Sequence, residues 1–387
     1  MVAATEIGNT LNATLPCRDL YEAVQTVAHA VSDRTTIAIL SHILIESEEG
    51  ALRLIGYDGE ALSMSCRVAA SVSRQGMLTA PAKTLVGVLS NLTENRDVDI
   101  SSDVGSTVQI HCERSTTKVL GRSPADFVRP PDLRNDAVCT VPQVLLREMI
   151  RQTAFAVSGD ETRRTLNGVL MSFDGETLRM VATDTHRLAL RTTEVGSGAV
   201  VRDAIVPART IKELGRLLTD AAGDVTITLS GNQVRFDLPG ETETQIGSTL
   251  IEGQFPNYNR VIPGQYNKRV TMNTSALTQA LRRAQVVARE NAGRVMMTVG
   301  QDTVELSAES AIVGSSLEEL EASSDGDEMV LAFNAGYLLE ALAVMETDKV
   351  HIDLTEPLKP AVVRPATEEP ESATDRFLYV LMPMQLV

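Results

Sequence analysis

Hydrophobic residues recur along the chain at two spacings, one typical of helices and one typical of strands. In the middle of the chain, Leu146, Met149, Ile150 and Val157 recur at the spacing of one helix face. Comparable patterns occur in three segments: CRDLYEAVQTVAHAV (17–31), PQVLLREMIRQTAFAV (142–157) and SALTQALRRAQVVAR (275–289). Runs with strand-like alternation follow each segment, for example GVLMSF and LRMVATD around the turn DGET. The pattern therefore predicts an amphipathic helix followed by strands, three times over.

A second helix with a preceding short strand follows in each of the three segments. These stretches read LTAPAKTLVGVLSNL, AIVPARTIKELGRLL and VLAFNAGYLLEALAVM, and another pair of alternating runs comes after each. Pro81, Pro207 and Asn334 occupy equivalent positions, 126 and 127 residues apart (207 − 81 and 334 − 207). A repeat of this length can hold its own core, unlike a solenoid repeat. We expect an α+β fold of three copies, each with two helices on one face of an antiparallel sheet.

Two clusters of Pro, Gly and Asn separate the copies, RPPDLRND (129–136) and VIPGQYN (261–267). They predict domain boundaries near 135 and 265. The predicted domains are therefore 1–135, 136–265 and 266–387.

Composition points to a cytoplasmic protein with a large acidic excess. The formal net charge is −16, aromatic residues make up 3% of the chain and there is no Trp, an average that disfavours nucleic acid. We find no secretion signal and no apolar run of membrane-spanning length. The scattered cysteines argue against zinc and disulfides and fit a reducing cytoplasm; they are Cys17, Cys66, Cys112 and Cys139.

Charge is segregated, because basic residues occupy predicted helix faces while acids crowd residues 315–328 and 366–375. Arg147 and Arg151 are one turn apart on the face opposite the core. Two interpretations stand: ordinary solvated helix faces, or a surface that meets phosphates without reading bases. The basic positions on the later helices are Arg209, Lys212, Arg216, Arg282, Arg283 and Arg289. The first helix of the first copy is nearly neutral, with Arg18, Glu22, Gln25 and His29.

The stretch ATDTHRLAL (182–190) concentrates polar groups beside Leu188. Asp184 and His186 could belong to a hydrolytic or metal site, but two side chains supply two ligands at most. No nucleotide-binding, zinc-protease or serine-hydrolase motif occurs in the chain. Structural hydrogen bonding is therefore the favoured interpretation of this stretch.

Four stretches together resemble one family, the bacterial sliding clamp, which is the beta subunit of DNA polymerase III. They are TDTHRLA (183–189), FPNYNRVIP (255–263), FNAGYLLEAL (333–342) and YVLMPMQLV (379–387), and the resemblance extends over the whole chain. It implies a non-enzymatic protein without a cofactor, forming a closed ring as a homodimer of six copies. The helices would line the hole around double-stranded DNA and hold it without sequence preference. An acidic exterior would account for the net charge.

The resemblance also implies a surface pocket that binds short linear peptides. Its partners would be the replicative polymerase, the clamp loader, repair polymerases and mismatch-repair proteins. Methionines suit a site that accepts many partners. The implied pocket residues are Leu166, Thr183, His186, Arg187, Leu188, Pro256, Arg260, Val261, Asn334, Tyr337, Pro360, Val380, Leu381, Met382, Pro383 and Met384.

Two further residue sets follow from the resemblance. The DNA-facing set is Arg34, Arg147, Arg151, Arg163, Arg164, Arg209, Lys212, Arg282, Arg283 and Arg289. The dimer interface would join Thr117, Lys118 and Val119 of one chain to Val286 and Val287 of the other. The chain departs from the family at Gln385, where a basic residue is frequent, and at Arg163 and Arg164, where relatives are often aromatic.

Two alternatives remain open. One is a hydrolase or metalloenzyme centred on Asp184 and His186. The other is a clamp paralogue that binds partners as a decoy or protection factor and has no replication role. The near-neutral first helix and Gln385 are the features that keep the second alternative open.

Overall fold

The structure is a computed structural model that describes residues 10–32, 36–133, 137–195, 201–240, 242–367 and 376–385. Within these residues there are six α-helices and 25 strands, and every strand pairing is antiparallel. The helices are α1 (Cys17–Ala28), α2 (Ala82–Leu89), α3 (Gln143–Thr153), α4 (Ala208–Leu217), α5 (Thr274–Ala288) and α6 (Ala335–Leu342). None of these helices combines the length and apolar character that a membrane span needs.

The strands follow the same order in each copy, with one short additional strand, β5, in the first. The first copy has β1 (Asn12–Pro16), β2 (His42–Glu48), β3 (Ala51–Tyr57), β4 (Leu62–Ala69), β5 (Ser71–Arg74), β6 (Met77–Pro81), β7 (Asp97–Ser102), β8 (Thr107–Cys112) and β9 (Ser115–Leu120). The middle copy has β10 (Ala137–Pro142), β11 (Gly168–Asp174), β12 (Thr177–Thr183), β13 (Arg187–Glu194), β14 (Val201–Pro207), β15 (Asp224–Ser230), β16 (Gln233–Leu238) and β17 (Glu243–Thr249). The third copy has β18 (Lys268–Asn273), β19 (Arg294–Val299), β20 (Thr303–Ser310), β21 (Gly314–Ser324), β22 (Met329–Asn334), β23 (Lys349–Leu354), β24 (Ala361–Pro365) and β25 (Arg376–Leu381).

The described residues form two compact units. The first unit comprises Met1–Leu146 and Arg216–Leu250. It holds a five-stranded sheet in the order β5-β1-β7-β8-β9 and an eight-stranded sheet in the order β10-β15-β16-β17-β4-β3-β2-β6. Helix α1 packs on β3 and β4 and against α2. Its buried residues Leu20, Val24 and Val27 form one face, as helical spacing requires.

The second unit comprises Arg147–Gly215 and Ile251–Val387. Its strands form one twelve-stranded sheet in the order β14-β11-β12-β13-β25-β24-β23-β18-β21-β20-β19-β22. Helix α5 packs on β18 to β21 and against α6, through Leu277, Leu281 and Ala284. The face of α5 opposite these residues is exposed.

Neighbouring copies share sheets. In the first unit β4 of the first copy pairs with β17 of the middle copy, with Met64 opposite Ile246. In the second unit β13 of the middle copy pairs with β25 of the third, with Leu188 opposite Val380. The predicted boundaries near 135 and 265 fall in the segments between β9 and β10 and between β17 and β18, and they stay predictions.

The predicted α+β organisation in three copies is confirmed, but the predicted order of elements is incomplete. A strand precedes the first helix of each copy: β1, β10 and β18. Strand β13 escaped prediction because seven successive positions, Arg187 to Thr193, are buried, so it does not alternate. Strand β17 escaped because its sequence, ETQIGST, is mostly polar. An alternation of polar and apolar residues identifies only strands that have one face exposed to solvent.

Candidate functional site

The turn between β12 and β13 is built by Asp184. Its carboxylate accepts hydrogen bonds from the backbone N–H groups of His186 (2.9 Å) and Arg187 (3.0 Å). The hydroxyl of Thr183 donates to the carbonyl oxygen of Arg187 at 2.6 Å. In the first copy, 126 residues earlier (184 − 58), the carboxylate of Asp58 accepts from three backbone N–H groups in the same way. Asp184 therefore forms a repeated structural turn.

Thr185, at the tip of this turn, has a left-handed backbone with φ = +81°. The first copy has Gly59 at the corresponding sequence position, with φ = +86°. A non-glycine residue in this region costs about 1–2 kcal/mol. The Thr185 hydroxyl accepts a hydrogen bond from Arg163 at 3.1 Å, and its side chain lines the pocket described below. Strain of this kind concentrates at functional sites.

Arg187 is a buried guanidinium, 8% exposed, with partners from three separate parts of the second unit. Its Nε donates to Asp184 at 3.0 Å, and its Nη2 donates to the carbonyl oxygen of Phe155 at 2.9 Å. Its Nη1 forms an ion pair with Glu340 of α6. The guanidinium carbon lies 4.4 Å from the ring centroid of Tyr337, within cation–π range. These contacts join β13 to the 3-10 turn Ala154–Ala156 and to α6.

The chemistry around Arg187 keeps this guanidinium charged. Burial alone would lower the pKa of Arg187, but the hydrogen bond and charge of Glu340 outweigh it and raise the pKa. Tyr379 of β25 lies beside it, fully buried, and donates to the carbonyl oxygen of Tyr337 at 2.9 Å. Burial raises the pKa of Tyr379, so its hydroxyl stays protonated. Arg187 is therefore a structural cation held by internal partners.

An apolar pocket of about 180 Å³ opens beside this turn. Leu188 and Val380, paired across β13 and β25, belong to the hydrophobic cluster at its base, and Tyr258 packs against them. Eight predicted residues line the pocket: Leu166, Thr183, Arg187, Leu188, Pro256, Val261, Val380 and Met382. Three further lining residues were missed: Thr185, Asn257 and Tyr258. They lie inside the stretches TDTHRLA and FPNYNRVIP, so the motifs contain them although their roles were not assigned.

The other eight predicted pocket residues do not line this cavity. His186 is exposed and its ring stacks on Tyr337, with centroids 6.4 Å apart. Asn334 caps α6, because its side chain accepts from the N–H of Tyr337 at 3.1 Å. Leu381 is buried on the face of β25 opposite Val380, because successive side chains of a strand lie on opposite faces. The remaining ones are exposed or half-buried: Arg260, Tyr337, Pro360, Pro383 and Met384.

The chain's final described residues are fixed to the second unit by backbone hydrogen bonds. The N–H of Met382 donates to the carbonyl oxygen of His186 at 2.9 Å. The N–H of Met384 donates to Ala332 of β22 at 2.7 Å. Met382 thereby becomes one side of the pocket, as a flexible apolar side chain that can adapt to a ligand.

The predicted DNA-facing residues are all exposed, except that Arg34 lies outside the described residues. Several have acidic partners. Arg151 forms an ion pair with Glu346 at 2.6 Å, and Arg163 one with Asp160 at 3.4 Å. Arg283 donates three hydrogen bonds to Glu318. The remaining members are Arg147, Arg164, Arg209, Lys212, Arg282 and Arg289. In the first copy Arg18 is paired with Glu22, which matches the near-neutral helix seen in the sequence.

Of the five residues of the predicted dimer interface, Lys118 and Val286 are exposed, Thr117 and Val287 are half-buried, and Val119 is buried. Strand β9, which carries Thr117 and Lys118, is the last strand of its sheet. Val119 points into the core, because it alternates with its exposed neighbours and packs opposite Val108. Leu120, which the sequence analysis did not select, is 78% exposed. Val286, on α5, is 58% exposed, and Val287 is half-buried.

The described residues form no cluster that could hold a metal ion, and their four cysteines are buried. They contain no group of three or more His, Cys, Asp or Glu side chains placed to hold a metal ion. The four cysteines are free and buried, and burial raises the pKa of Cys66 and Cys139 to about 11. Those two thiols are protonated at neutral pH and therefore poor nucleophiles and ligands.

We expect Arg187→Ala to lower the free energy of unfolding by about 3 kcal/mol or more, because it removes a buried guanidinium that bonds to Asp184, to the carbonyl oxygen of Phe155 and to Glu340. Arg179→Ala is the matched control. Arg179 forms an Arg–Asp pair with Asp174 on the neighbouring strand, but it is 37% exposed, so its removal should cost below about 1 kcal/mol. Urea titration followed by circular dichroism measures both. Equal losses would contradict the structural role of Arg187.

Comparison with known proteins covers nearly the whole chain. Models of the N-terminal, central and C-terminal domains of the DNA polymerase III beta subunit match residues 12–129, 140–257 and 259–385. The beta sliding clamp of Escherichia coli K12 is 28% identical over 374 residues, covering 96% of this chain and 99% of that one. The beta sliding clamp of Staphylococcus aureus Mu50 is 29% identical over 350 residues, covering 88% and 92%.

Solved structures give the same answer. The sliding clamp of Bartonella birtlesii bound to griselimycin is 26% identical, with a TM-score of 0.91 over 98% of this chain and 100% of that one. The clamp of Pseudomonas aeruginosa bound to griselimycin is 29% identical, with a TM-score of 0.90 over 98% and 100%. The chain therefore belongs to the family of DNA polymerase III beta subunits, the beta sliding clamps.

Proposed function

We propose that this chain is a replication sliding clamp that encircles double-stranded DNA and docks partner peptides in the pocket of its second unit. The observation that carries the proposal is the apolar pocket itself, built where strands of the middle and third copies pair. Its family consists of non-catalytic processivity factors. Asp184, the best candidate for catalysis, is engaged in the turn, which supports a role without enzymatic activity. We place its action in the cytoplasm, at the nucleoid.

The pocket suits short peptides with two apolar anchors. Burying one leucine or phenylalanine side chain contributes about 1.5–3 kcal/mol. Two such anchors contribute about 3–6 kcal/mol, which corresponds to a dissociation constant between several millimolar and tens of micromolar, weak enough for partners to exchange. Thr183, Thr185 and Asn257 supply polar groups at its border for a peptide backbone. The proposed partners are the replicative polymerase, the clamp loader, repair polymerases and mismatch-repair proteins.

The ring is proposed to form from two chains that pair head to tail. Strand β9 has a free edge, and in the described structure Gly314–Glu321 of β21 pairs with β20 alone. Free edges are templates for pairing with another chain. Their charges are complementary, because β9 and the turn before it carry Lys118 and Arg114 while β21 carries the exposed Glu319 and Glu321. Pairing of β9 with β21 would bring the exposed Leu120 toward α5, which packs on β21.

DNA contact is assigned to exposed cations of the helices. Among the cations of α5, Arg282 is the first candidate for a phosphate contact. The neighbouring Arg283 is already paired with Glu318 of the same chain. Contacts of this kind are sequence-independent and salt-sensitive.

Met382→Glu should weaken the binding of a labelled two-anchor peptide at least tenfold, because it places a charge in an apolar pocket. Fluorescence anisotropy gives the affinity. Val201→Glu changes another exposed apolar residue on β14 and should leave the affinity unchanged. Unaltered binding by the Met382 variant would mean that peptides bind elsewhere.

Leu120→Asp should shift the sedimentation of the protein from dimer toward monomer at micromolar concentration, since it buries a charge at the proposed interface. The control is Leu358→Asp, at an exposed apolar residue outside the interface. Wild-type protein that sediments as a monomer would refute the proposed ring.

Arg282→Gln should reduce the slope of log affinity against log salt by about 0.9 per lost phosphate contact. Arg283→Gln, one residue along α5, should change the slope less because that cation is paired with Glu318. Anisotropy of a labelled linear duplex at several salt concentrations measures both. A protein that binds peptides but has no salt-dependent affinity for duplex DNA would instead be the decoy paralogue.

A further inference from the structure

A second cavity of about 180 Å³ lies in the second unit, next to the peptide pocket. Segment 262–266 forms one side, and strands β23, β24 and β25 supply Asp353, Arg364 and Arg376. Unlike the apolar pocket, this cavity has three charged residues among the nine that line it.

Asp353 is the centre of the charge cluster and is only 3% exposed. Arg269 donates to it from Nε at 2.6 Å and from Nη2 at 3.0 Å. Arg364 donates from Nε at 2.8 Å and also from Nη2. The ring of Tyr266 covers both guanidiniums, at 4.5 Å from Arg269 and 5.9 Å from Arg364. One carboxylate is thus shared between two arginines.

Arg376 adds a third guanidinium to this cluster. Its Nε is buried and finds no hydrogen-bond acceptor in the described parts of the chain. Three guanidiniums therefore line the neighbourhood of one carboxylate, and the Nε of Arg376 makes no hydrogen bond to it. Burial of an unpaired donor on a cation is unfavourable unless an acceptor arrives. Burial and, after it, the charge of Arg269 lower the pKa of the neighbouring His351, an effect that the charge of Asp353 partly offsets.

The cavity and the peptide pocket share one face of the twelve-stranded sheet. Val362 lines the cavity and belongs to the same hydrophobic cluster as Leu188 and Val380 at the base of the pocket. Segment 256–266 borders both sites, the pocket with 256–261 and the cavity with 262–266. Ile262 packs on that shared cluster.

This face points away from the helices of the third copy. On β18, Val270 and Met272 are buried on the side of α5, so Arg269 lies on the opposite side, by the two-residue period of a strand. The cavity is therefore separated by the sheet from the cations of α5 that are assigned to DNA. Its geometry favours a protein ligand over a duplex.

We propose that this arginine cavity is an oxyanion subsite that takes a side-chain carboxylate of a partner peptide whose apolar anchors occupy the neighbouring pocket. The proposal rests on the peptide-docking function proposed above and extends it to acidic partner segments. A carboxylate there would accept charge-assisted hydrogen bonds, beginning with the buried Nε of Arg376. Acidic residues next to the anchors would thereby distinguish strong partners from weak ones.

The spacing between the two sites can be bracketed. From β13 to β24 there are two strand intervals of about 4.8 Å, so a peptide needs at least about three extended residues. Segment 256–266 lies between the sites, so a bound peptide could have to pass around it. Peptides with longer spacers are therefore tested as well. The probes are therefore labelled peptides with two apolar anchors, a Gly-Ser spacer of about three, six or nine residues, and a terminal Glu-Asp pair or Ser-Ser pair.

The test compares both peptide series with wild-type protein and two variants by anisotropy. At the best spacer we expect the acidic peptide to bind wild type about tenfold more tightly than the Ser-Ser peptide, a difference of about 1.4 kcal/mol. Arg376→Gln should abolish this difference and leave Ser-Ser binding unchanged. Lys359→Gln removes the same charge from an exposed position outside the cavity and should preserve the difference.

Several results would overturn the subsite. One is an acidic peptide that gains nothing at any spacer; another is an Arg376 variant that weakens both peptides equally, which would indicate a structural role. A third is Arg376-dependent thermal stabilisation by inorganic phosphate without any gain for the acidic peptide, which would make the occupant a small anion. Failure of the Ser-Ser peptide to bind at all would instead refute the docking function itself.

Discussion

The buried guanidinium of Arg187 is the constraint on which the candidate site depends. It holds the turn of Asp184, the carbonyl oxygen of Phe155 and Glu340 of α6 in one arrangement. The same turn supplies the carbonyl oxygen that binds the N–H of Met382, so the pocket's position follows from it. In the first copy the residue with the equivalent backbone hydrogen bond is Leu62, which is buried and apolar. The turn of the first copy, which is one residue longer, forms without an arginine, and the ionic cluster of the middle copy fixes the junction with the third copy. Such clusters contribute specificity of arrangement more than stability.

Because Arg187 is occupied internally, peptide recognition rests on the apolar base and on a few polar groups at the border. Leu188 and Val380 are rigid members of a packed cluster, whereas Met382 is held only through its backbone and can adapt. The combination of a fixed base and one adaptable side suits a site that exchanges several partners. Thr185 fits this view, since a strained backbone is retained where its side chain lines the pocket.

The sequence was sufficient for the three-copy organisation and for half of the predicted pocket residues. The repeat was visible because a helix with one apolar face has a clear period, and because Pro81, Pro207 and Asn334 recur at the repeat distance. Strands β13 and β17 were not visible in the sequence. Burial on both faces removes the alternation of β13, and a mostly polar sequence removes that of β17. Exposed and buried roles within a motif also stayed hidden. His186 and Arg187 are adjacent, yet His186 is exposed and Arg187 is buried. Arg187 bonds to Phe155 and Glu340, which lie 32 and 153 residues away in sequence. Contacts at that separation cannot be read from local spacing.

The central claim is that a ring of two chains stays on DNA because it encloses the duplex, and that it does not depend on strong binding to the duplex. Retention of the protein on nicked circular DNA, loaded by its clamp loader and followed by gel filtration before and after cutting the circle, tests this most directly. The account predicts that the protein stays with the circle at a salt concentration that abolishes binding to linear duplex, and that it is released once the circle is linearised. Equal retention on circular and linearised DNA, or no retention on the circle, would contradict it.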